Sequence, residues 1–211
     1  MKVQYLSYFL NKNTPSYGGE KGCVILEKLR EIPLGHTSNN TKLTFPSHIG
    51  THIDFPFHFD NNGKKCNDYA PSFWIFNKIG LINCSVDEIE SKIQNIPSDI
   101  ELLILKTGFG INRNHSSYWK SQPIISSNLA SLFKLKFPKL RVFGFDLISL
   151  TSKLNREEGK IAHQKFLIEN EILILEDMNL VDLNEAPKSV VIAPLLVDGA
   201  DGSPCTVIAT I

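Results

Sequence analysis

Short apolar runs, each broken by polar or turn-forming residues, divide this chain into segments of strand length. Leu102-Leu103-Ile104-Leu105, inside Glu101–Lys106, is compact and bounded on both sides, which predicts a buried strand. Lys78 to Cys84, Arg141 to Phe145, Ile172 to Leu175, Val190 to Ala193 and Thr206 to Thr210 read the same way, and Val3 to Leu10 predicts an extended edge piece. Between the strands lie helix-start signals. Ser85-x-x-Glu88 is a capping-box pattern and starts a helix through about Ile96. Ser126 or Ser127 caps another through Leu135, which Pro138 stops. Asn155 caps a third, with Glu157 and Glu158 in the first turn, where the helix dipole favours negative charge. The rest of residues 1–44 reads as strand and loop. Pro15 to Gly22 is turn-rich, and Gly18-Gly19 can adopt positive φ. Residues 199–204 predict a turn between the last two strands. Several short strands and three helices imply a mixed α/β or α+β class, and 211 residues suit one domain over 1–211.

Charge narrows the function classes. Twenty-two acidic and twenty-two basic residues balance, which leaves no footprint for nucleic acid or an anionic membrane. The start, Met1-Lys2-Val3-Gln4-Tyr5-Leu6-Ser7, lacks the apolar run of a signal peptide, and no apolar run is long enough to span a bilayer. Cys23, Cys66, Cys84 and Cys205 are scattered without a CxxC pair and predict free thiols. A cytoplasmic protein is the expectation.

The chemistry concentrates in Phe45 to His58, which holds His48, His52, Asp54 and His58 among mostly apolar neighbours. Buried imidazoles and carboxylates are costly unless paired or metal-bound. A straight strand would spread these four groups over roughly 33 Å, too far for one ion. A helix would align His48 with His52 but throw Asp54 aside, and Pro56 would interrupt it. An extended piece bent at Gly50 brings His48 back beside His52 and Asp54, and leaves His58, beyond Pro56, as a supporting or reacting group. Other residues carry alternatives. Tyr69, Phe73, Trp74 and Phe76 either line a pocket for a flat substrate or pack in core and interface. Asp146 and Ser149 either support a site or form a structural turn. His115 sits in a polar stretch as a solvated histidine. His163, on position alone, is a helix-surface histidine.

His48-x-Gly50-Thr51-His52-x-Asp54-x-Pro56-x-His58 resembles the signature HxGTHxDxPxH of the metal-dependent cyclase family, which includes bacterial kynurenine formamidases and isatin hydrolases. The resemblance runs on through Leu105-Lys106-Thr107-Gly108, Gly144-x-Asp146-x-x-Ser149, His163, Glu176 and Asp201-Gly202-Ser203-Pro204, in that order. It implies an α/β swivelling domain, a β/β/α-type fold with a mixed sheet curled towards a barrel. It also implies that His163 and Glu176 join His48, His52 and Asp54 as metal ligands. Glu176 is preferred to Asp177 because Met178-Asn179-Leu180 continues a family-like Glu-x-x-Asn-Leu pattern. Tyr17-Gly18-Gly19 departs from the aromatic and Pro-Gly pair of formamidases, in a loop expected to border the pocket.

Five ligands exceed the need of one tetrahedral ion, so the set suits one ion or two bridged by carboxylate. Zinc is the first expectation for such nitrogen and oxygen donors and manganese the second. The expected activity is hydrolysis of a C–N bond in a small amide or lactam, with His58 shuttling the proton to the leaving nitrogen. The alternatives are a different cyclic substrate, a lactone among them, or metal binding without turnover. No Gly-x-Ser-x-Gly elbow suggests serine hydrolase chemistry. A homodimer or homotetramer is expected, with pocket residues near the interface.

Overall fold

The computed structural model describes residues 2–211. Its strands are β1 (Val3–Tyr5), β2 (Ile25–Arg30), β3 (Asn40–Thr44), β4 (His52–Asp54), β5 (Ile75–Phe76), β6 (Ile79–Asn83), β7 (Leu102–Lys106), β8 (Val142–Phe145), β9 (Leu173–Glu176), β10 (Ser189–Pro194) and β11 (Gly202–Thr210). The α-helical stretches are α1 (Ile89–Lys92), α2 (Ser117–Lys120), α3 (Asn128–Lys136) and α4 (Arg156–His163), with a π-helical turn, Gln164–Glu169, directly after α4.

One sheet runs in the order β5-β10-β11-β4-β9-β8-β7-β6, and β1 pairs with β11 beside this path. Strands β6 to β9 are parallel, and the other pairings are antiparallel. Helical crossovers cover the parallel half, so its strands are buried on both faces and read as unbroken apolar runs. The two ends of the path, β5 and β6, are joined by only Asn77 and Lys78. Near this join the Arg141 guanidinium donates to the carbonyls of Phe73 and Ile75 and lies 4.3 Å from the Phe76 ring. The sheet is therefore curled almost into a barrel, the α/β form that the resemblance implies. Leu102 to Leu105 and the clustered rings of Phe133, Phe143 and Phe166 fill the interior between sheet and helices.

Several boundaries differ from the expectation. The extended start is a strand only over Val3–Tyr5; beyond it, Leu6 N donates to Val207 O and Tyr8 N to the Thr51 hydroxyl, which ties the segment to the signature. The Ser85 capping box forms, but the helix after it is broken into 3-10, α and 3-10 turns between Val86 and Asn95. Both Ser126 and Ser127 precede α3, and it is the Ser126 hydroxyl that accepts from Asn128 N, at 3.3 Å. Asn155 caps α4 as expected, accepting from Glu158 N at 3.1 Å. The turn predicted over 199–204 ends early: β11 begins at Gly202 because Gly202, Ser203 and Pro204 pair with Asp54, Ile53 and His52. The hairpin of β2 and β3 lies outside the main sheet and was read only as strand and loop.

Candidate metal centre

Strand β4 sits between β9 and β11, and its register sets the site. His52 lies opposite Glu176 on β9, and Asp54 opposite Gly202 on β11. Because side chains on a strand alternate, His52 and Asp54 share a face while Ile53 enters the core. Gly50 supplies the bend before β4. Its φ is +62°, and a Cβ there would lie 2.5 Å from Leu10 Cδ2. The bend returns His48 to Asp54, with Nδ1 to Oδ1 at 2.8 Å. His48 also lies flat over Gly202, where a Cβ would come within 2.3 Å of its ring. From the opposite side, α4 brings His163 into the cluster at its last residue, just before the π-helical turn, a backbone form common at functional sites.

His52 Nε2 faces Asp54 Oδ1 at 3.4 Å and Glu176 Oε2 at 3.3 Å. His163 Nε2 faces Asp54 Oδ2 at 3.4 Å and Glu176 Oε1 at 3.5 Å. All four side chains are buried. Both imidazoles donate Nδ1–H to a backbone carbonyl: His52 to Gly50 O and His163 to Gly159 O, each at 2.8 Å. That fixes the tautomer and turns both Nε2 lone pairs towards two carboxylates. Lone pairs and anions packed together in a buried cluster require a cation among them. Two neutral imidazoles and two carboxylates carry a net charge of −2, which a divalent ion balances; in its absence protons must serve. Burial pulls the His163 imidazole down, but its contacts with Asp54 and Glu176 outweigh burial and push it up to about 10. His52 is likewise held well above its usual value. Burial pushes Asp54 up, and the surrounding imidazoles still hold it well below the usual carboxylate range. The donor set fits a divalent metal.

Beside the cluster lies a cavity of about 240 Å³, walled by Pro15, Tyr17, Phe59, Ile148 and Thr151 and open to His58. Phe59 stacks on His163 at 4.7 Å. Tyr17 borders this space, as expected of the divergent loop, and Gly19 takes φ +73° against the Trp119 indole. Tyr69, Phe73, Trp74 and Phe76 are absent from this wall. Tyr69, Phe73 and Trp74 pack with one another, and Tyr69 and Trp74 also pack on Phe55, while Phe76 enters the core. Their packing reading holds, and their role as lining for this pocket is corrected.

Ser149 and Asp146 separate into two jobs. The Ser149 hydroxyl donates to Glu176 Oε1 at 3.2 Å and Leu150 N donates to the same oxygen at 2.5 Å. Asp146 instead accepts from Thr107 and Gly108 and closes that loop. Three residues given no site role in the sequence reading complete the surroundings. Asp201 Oδ2 lies 3.0 Å from His48 Nε2 and 3.1 Å from His58 Nδ1, so one carboxylate holds both rings. Arg113 and Tyr118 take Asp177 out of the cluster: Arg113 binds it through Nε and Nη2, and the Tyr118 hydroxyl donates at 2.7 Å. Asp177, at φ +50°, also accepts the Thr51 hydroxyl on its carbonyl at 2.5 Å, so the residue after Glu176 is pinned from two sides. A second carboxylate beside Glu176 was the available signal, since a buried one needs a cationic partner.

Residues 5–151 match the Cyclase family, described as "Putative cyclase". The chain is similar to the kynurenine formamidase of Bacillus cereus, 33% identical over 177 residues that cover 79% of this chain and 77% of the relative. Among solved structures it resembles isatin hydrolase A from Labrenzia aggregata bound to benzyl benzoate, with TM-score 0.80, 17% identity and coverage of 99% and 93%. It also resembles a potential metal-dependent hydrolase with cyclase activity, with TM-score 0.76, 20% identity and coverage of 99% and 96%. With this match, and with the signature placed on β4 inside an almost closed mixed sheet, the chain belongs to the cyclase family.

Proposed function

We propose that the chain is a metal-dependent hydrolase of the C–N bond in a small amide or cyclic amide. The observation that carries this is the pair of buried Nε2 lone pairs aimed at two carboxylates beside an open cavity. His52, Asp54, His163 and Glu176 would hold the metal, with His48 joining through Asp54. Asp54 turns Oδ1 to His48 and His52 and Oδ2 to His163, an arrangement suited to bridging two ions as well as holding one. Zinc suits these donors first and manganese second. Such an ion, when bound, lowers the pKa of water towards neutrality and polarises the scissile carbonyl. The chain's own groups do the rest. Asp201 holds His58 by Nδ1, which leaves Nε2 to take a proton and return it to the leaving nitrogen. Phe59, Ile148 and Pro15 limit water around the reacting bond.

The relatives named as formamidases make N-formylkynurenine the first compound to test, and isatin is the second. Metal-replete protein should retain at least about one divalent ion per chain and turn over one of these at an efficiency near 10⁴ M⁻¹s⁻¹ or above, about the lower end for natural substrates. His52→Ala should lose most of the metal. Protein that takes up no zinc or manganese overturns the reading, and metal-loaded protein that cleaves no amide or lactam reduces it to metal binding. The unit at work is a single domain over 1–211, acting as a homodimer. What supports the homodimer is the large apolar surface that the chain leaves uncovered.

A further inference from the structure

Asp177 follows Glu176 and is one of two non-glycine residues at positive φ among the described residues, at +50°. That backbone region is unfavourable for a residue with a side chain, and it persists only where the surroundings impose it. Here they do. Arg113 donates to the Asp177 carboxylate from Nε at 2.8 Å and from Nη2 at 2.7 Å, and the Tyr118 hydroxyl donates at 2.7 Å. On the backbone, Asp177 N donates to Leu147 O at 2.8 Å, and Asp177 O accepts the Thr51 hydroxyl at 2.5 Å. Thr51, Arg113, Tyr118 and Asp177 are all buried.

Tyr8 closes this network on its far side. Its backbone N–H donates to Thr51 Oγ1 at 3.0 Å, and its ring lies 3.9 Å from the Arg113 guanidinium. The register explains why the network stands where it does. His52 is opposite Glu176 in the pairing of β4 with β9, so Thr51 and Asp177 would be the next pair. The left-handed turn at Asp177 ends regular pairing there, and the Thr51 hydroxyl carries the link one step further, from side chain to backbone.

Glu176 needs that support because it serves two sides. Its Oε2 faces His52, while its Oε1 faces His163 and accepts from Ser149 and Leu150. It is the last residue of β9, and a strand end that shifts moves both oxygens at once. A working site holds its groups within about 0.5 Å of the productive geometry.

We propose that Arg113 and Asp177 are positioning residues for the metal centre: their two-pronged ion pair, braced by Tyr118, Thr51 and Tyr8, fixes the end of β9 so that both Glu176 oxygens stay aimed into the cluster. The planar guanidinium sets orientation as well as distance, which a lysine ammonium does not. Asp177 also borders the metal cavity, so the same pair holds back a carboxylate that would compete with Glu176.

This assignment rests on the metal-hydrolase reading, and the experiment separates the two. Zinc affinity is measured on full-length protein by competition with a chelator, beside the Tm of each metal-free form. Asp177→Ala and Arg113→Lys should each weaken zinc binding about 10- to 100-fold, the usual effect of losing a group that supports a ligand. Asp177→Asn should lose less than Asp177→Ala, because Asn tolerates left-handed φ and can still accept from Tyr118. Losing one partner of a buried ion pair lowers Tm whatever its role, so zinc affinity is the deciding readout. Thr51→Val keeps the side chain's shape and removes one hydrogen bond; it should weaken zinc about 10-fold and stands in where the ion-pair variants do not fold. Wild-type protein that binds neither zinc nor manganese overturns the metal reading and this assignment together. Wild-type zinc affinity in every folded variant, with only Tm lowered, overturns the assignment alone and leaves a structural ion pair. Weaker zinc binding by Asp177→Asn than by Asp177→Ala overturns it as well.

Discussion

Asp201 makes His58 more than a histidine near the cluster. A free imidazole can rotate and change tautomer; one whose Nδ1 is fixed by a carboxylate presents Nε2 in one direction and is stabilised when it gains a proton. Burial holds the His58 imidazole below its usual value, so at neutral pH it is poised as a base. His58→Ala should therefore lower kcat by about 10²- to 10⁴-fold with metal content unchanged, since a positioned acid–base group contributes roughly that much. Loss of metal as complete as in His52→Ala would make His58 a ligand. Asp201→Asn should lower kcat by about 10-fold or more with little change in KM, the effect expected when a partner orients a site group rather than touching substrate. Asp201→Glu should recover part of the loss; equal defects in both variants would point to a purely structural role. At this scale the sequence was informative where residues were chemically conspicuous. His48, His52, Asp54 and His58 stand within eleven positions, and the bend at Gly50 follows from their even spacing. Asp201 was not conspicuous: it lies 143 positions from His58 and meets it only because β11 pairs with β4.

Among the elements, the buried parallel strands were legible because apolar residues on both faces leave an unbroken run, as in β7. The β2–β3 hairpin was not. Ile25-Leu26-Glu27-Lys28-Leu29-Arg30 has neither a two-residue nor a helical period, because the hairpin has apolar residues on both faces and no core to select one. The early start of β11 was hidden for another reason. Gly202-Ser203-Pro204 has turn composition, and pairing with β4 overrides it; Gly202 is needed there because His48 occupies the space of a side chain. Gly202→Ala tests this. Its Cβ would meet the His48 ring at 2.3 Å, and the ring, as the side-chain partner of that contact, must shift away from Asp54 or Asp201 for the strand to keep its register. The expected outcome is a folded protein whose zinc affinity by calorimetry falls about 10-fold or more, the scale of a displaced ligand support. Unchanged affinity would mean that His48 does not support the metal through Asp54.

The whole molecule is organised around a cluster whose charge balance depends on what fills it. The topology that builds it could not be read from the chain, since β4 joins β9 and β11 across 120 and more residues, and such pairing leaves no local signature. In metal-free protein His52 and His163 bind protons more tightly folded than unfolded. Their contribution to stability is complete below the unfolded value of 6.5 and is lost as pH rises through the folded values, for His163 about 10. Asp54 and Glu176 run the other way: their folded values are depressed, so their contribution is present above the unfolded 3.8 and 4.5 and is lost as pH falls through the folded ones. Metal-free protein should thus be most stable between about pH 4.5 and about pH 6.5 and weaken steadily towards about pH 10. A divalent ion takes the place of both protons, and its binding releases them, so metal-loaded protein should keep its stability over the alkaline range. Thermal melts of chelator-treated and zinc-loaded protein across about pH 5 to about pH 9 should show a gap in Tm that widens steadily as pH rises, because the ion displaces protons from His52 and His163 at every pH below their raised folded values. A gap of constant size would mean that protons and metal do not compete for the same lone pairs, and the proposed ligand set would then be wrong.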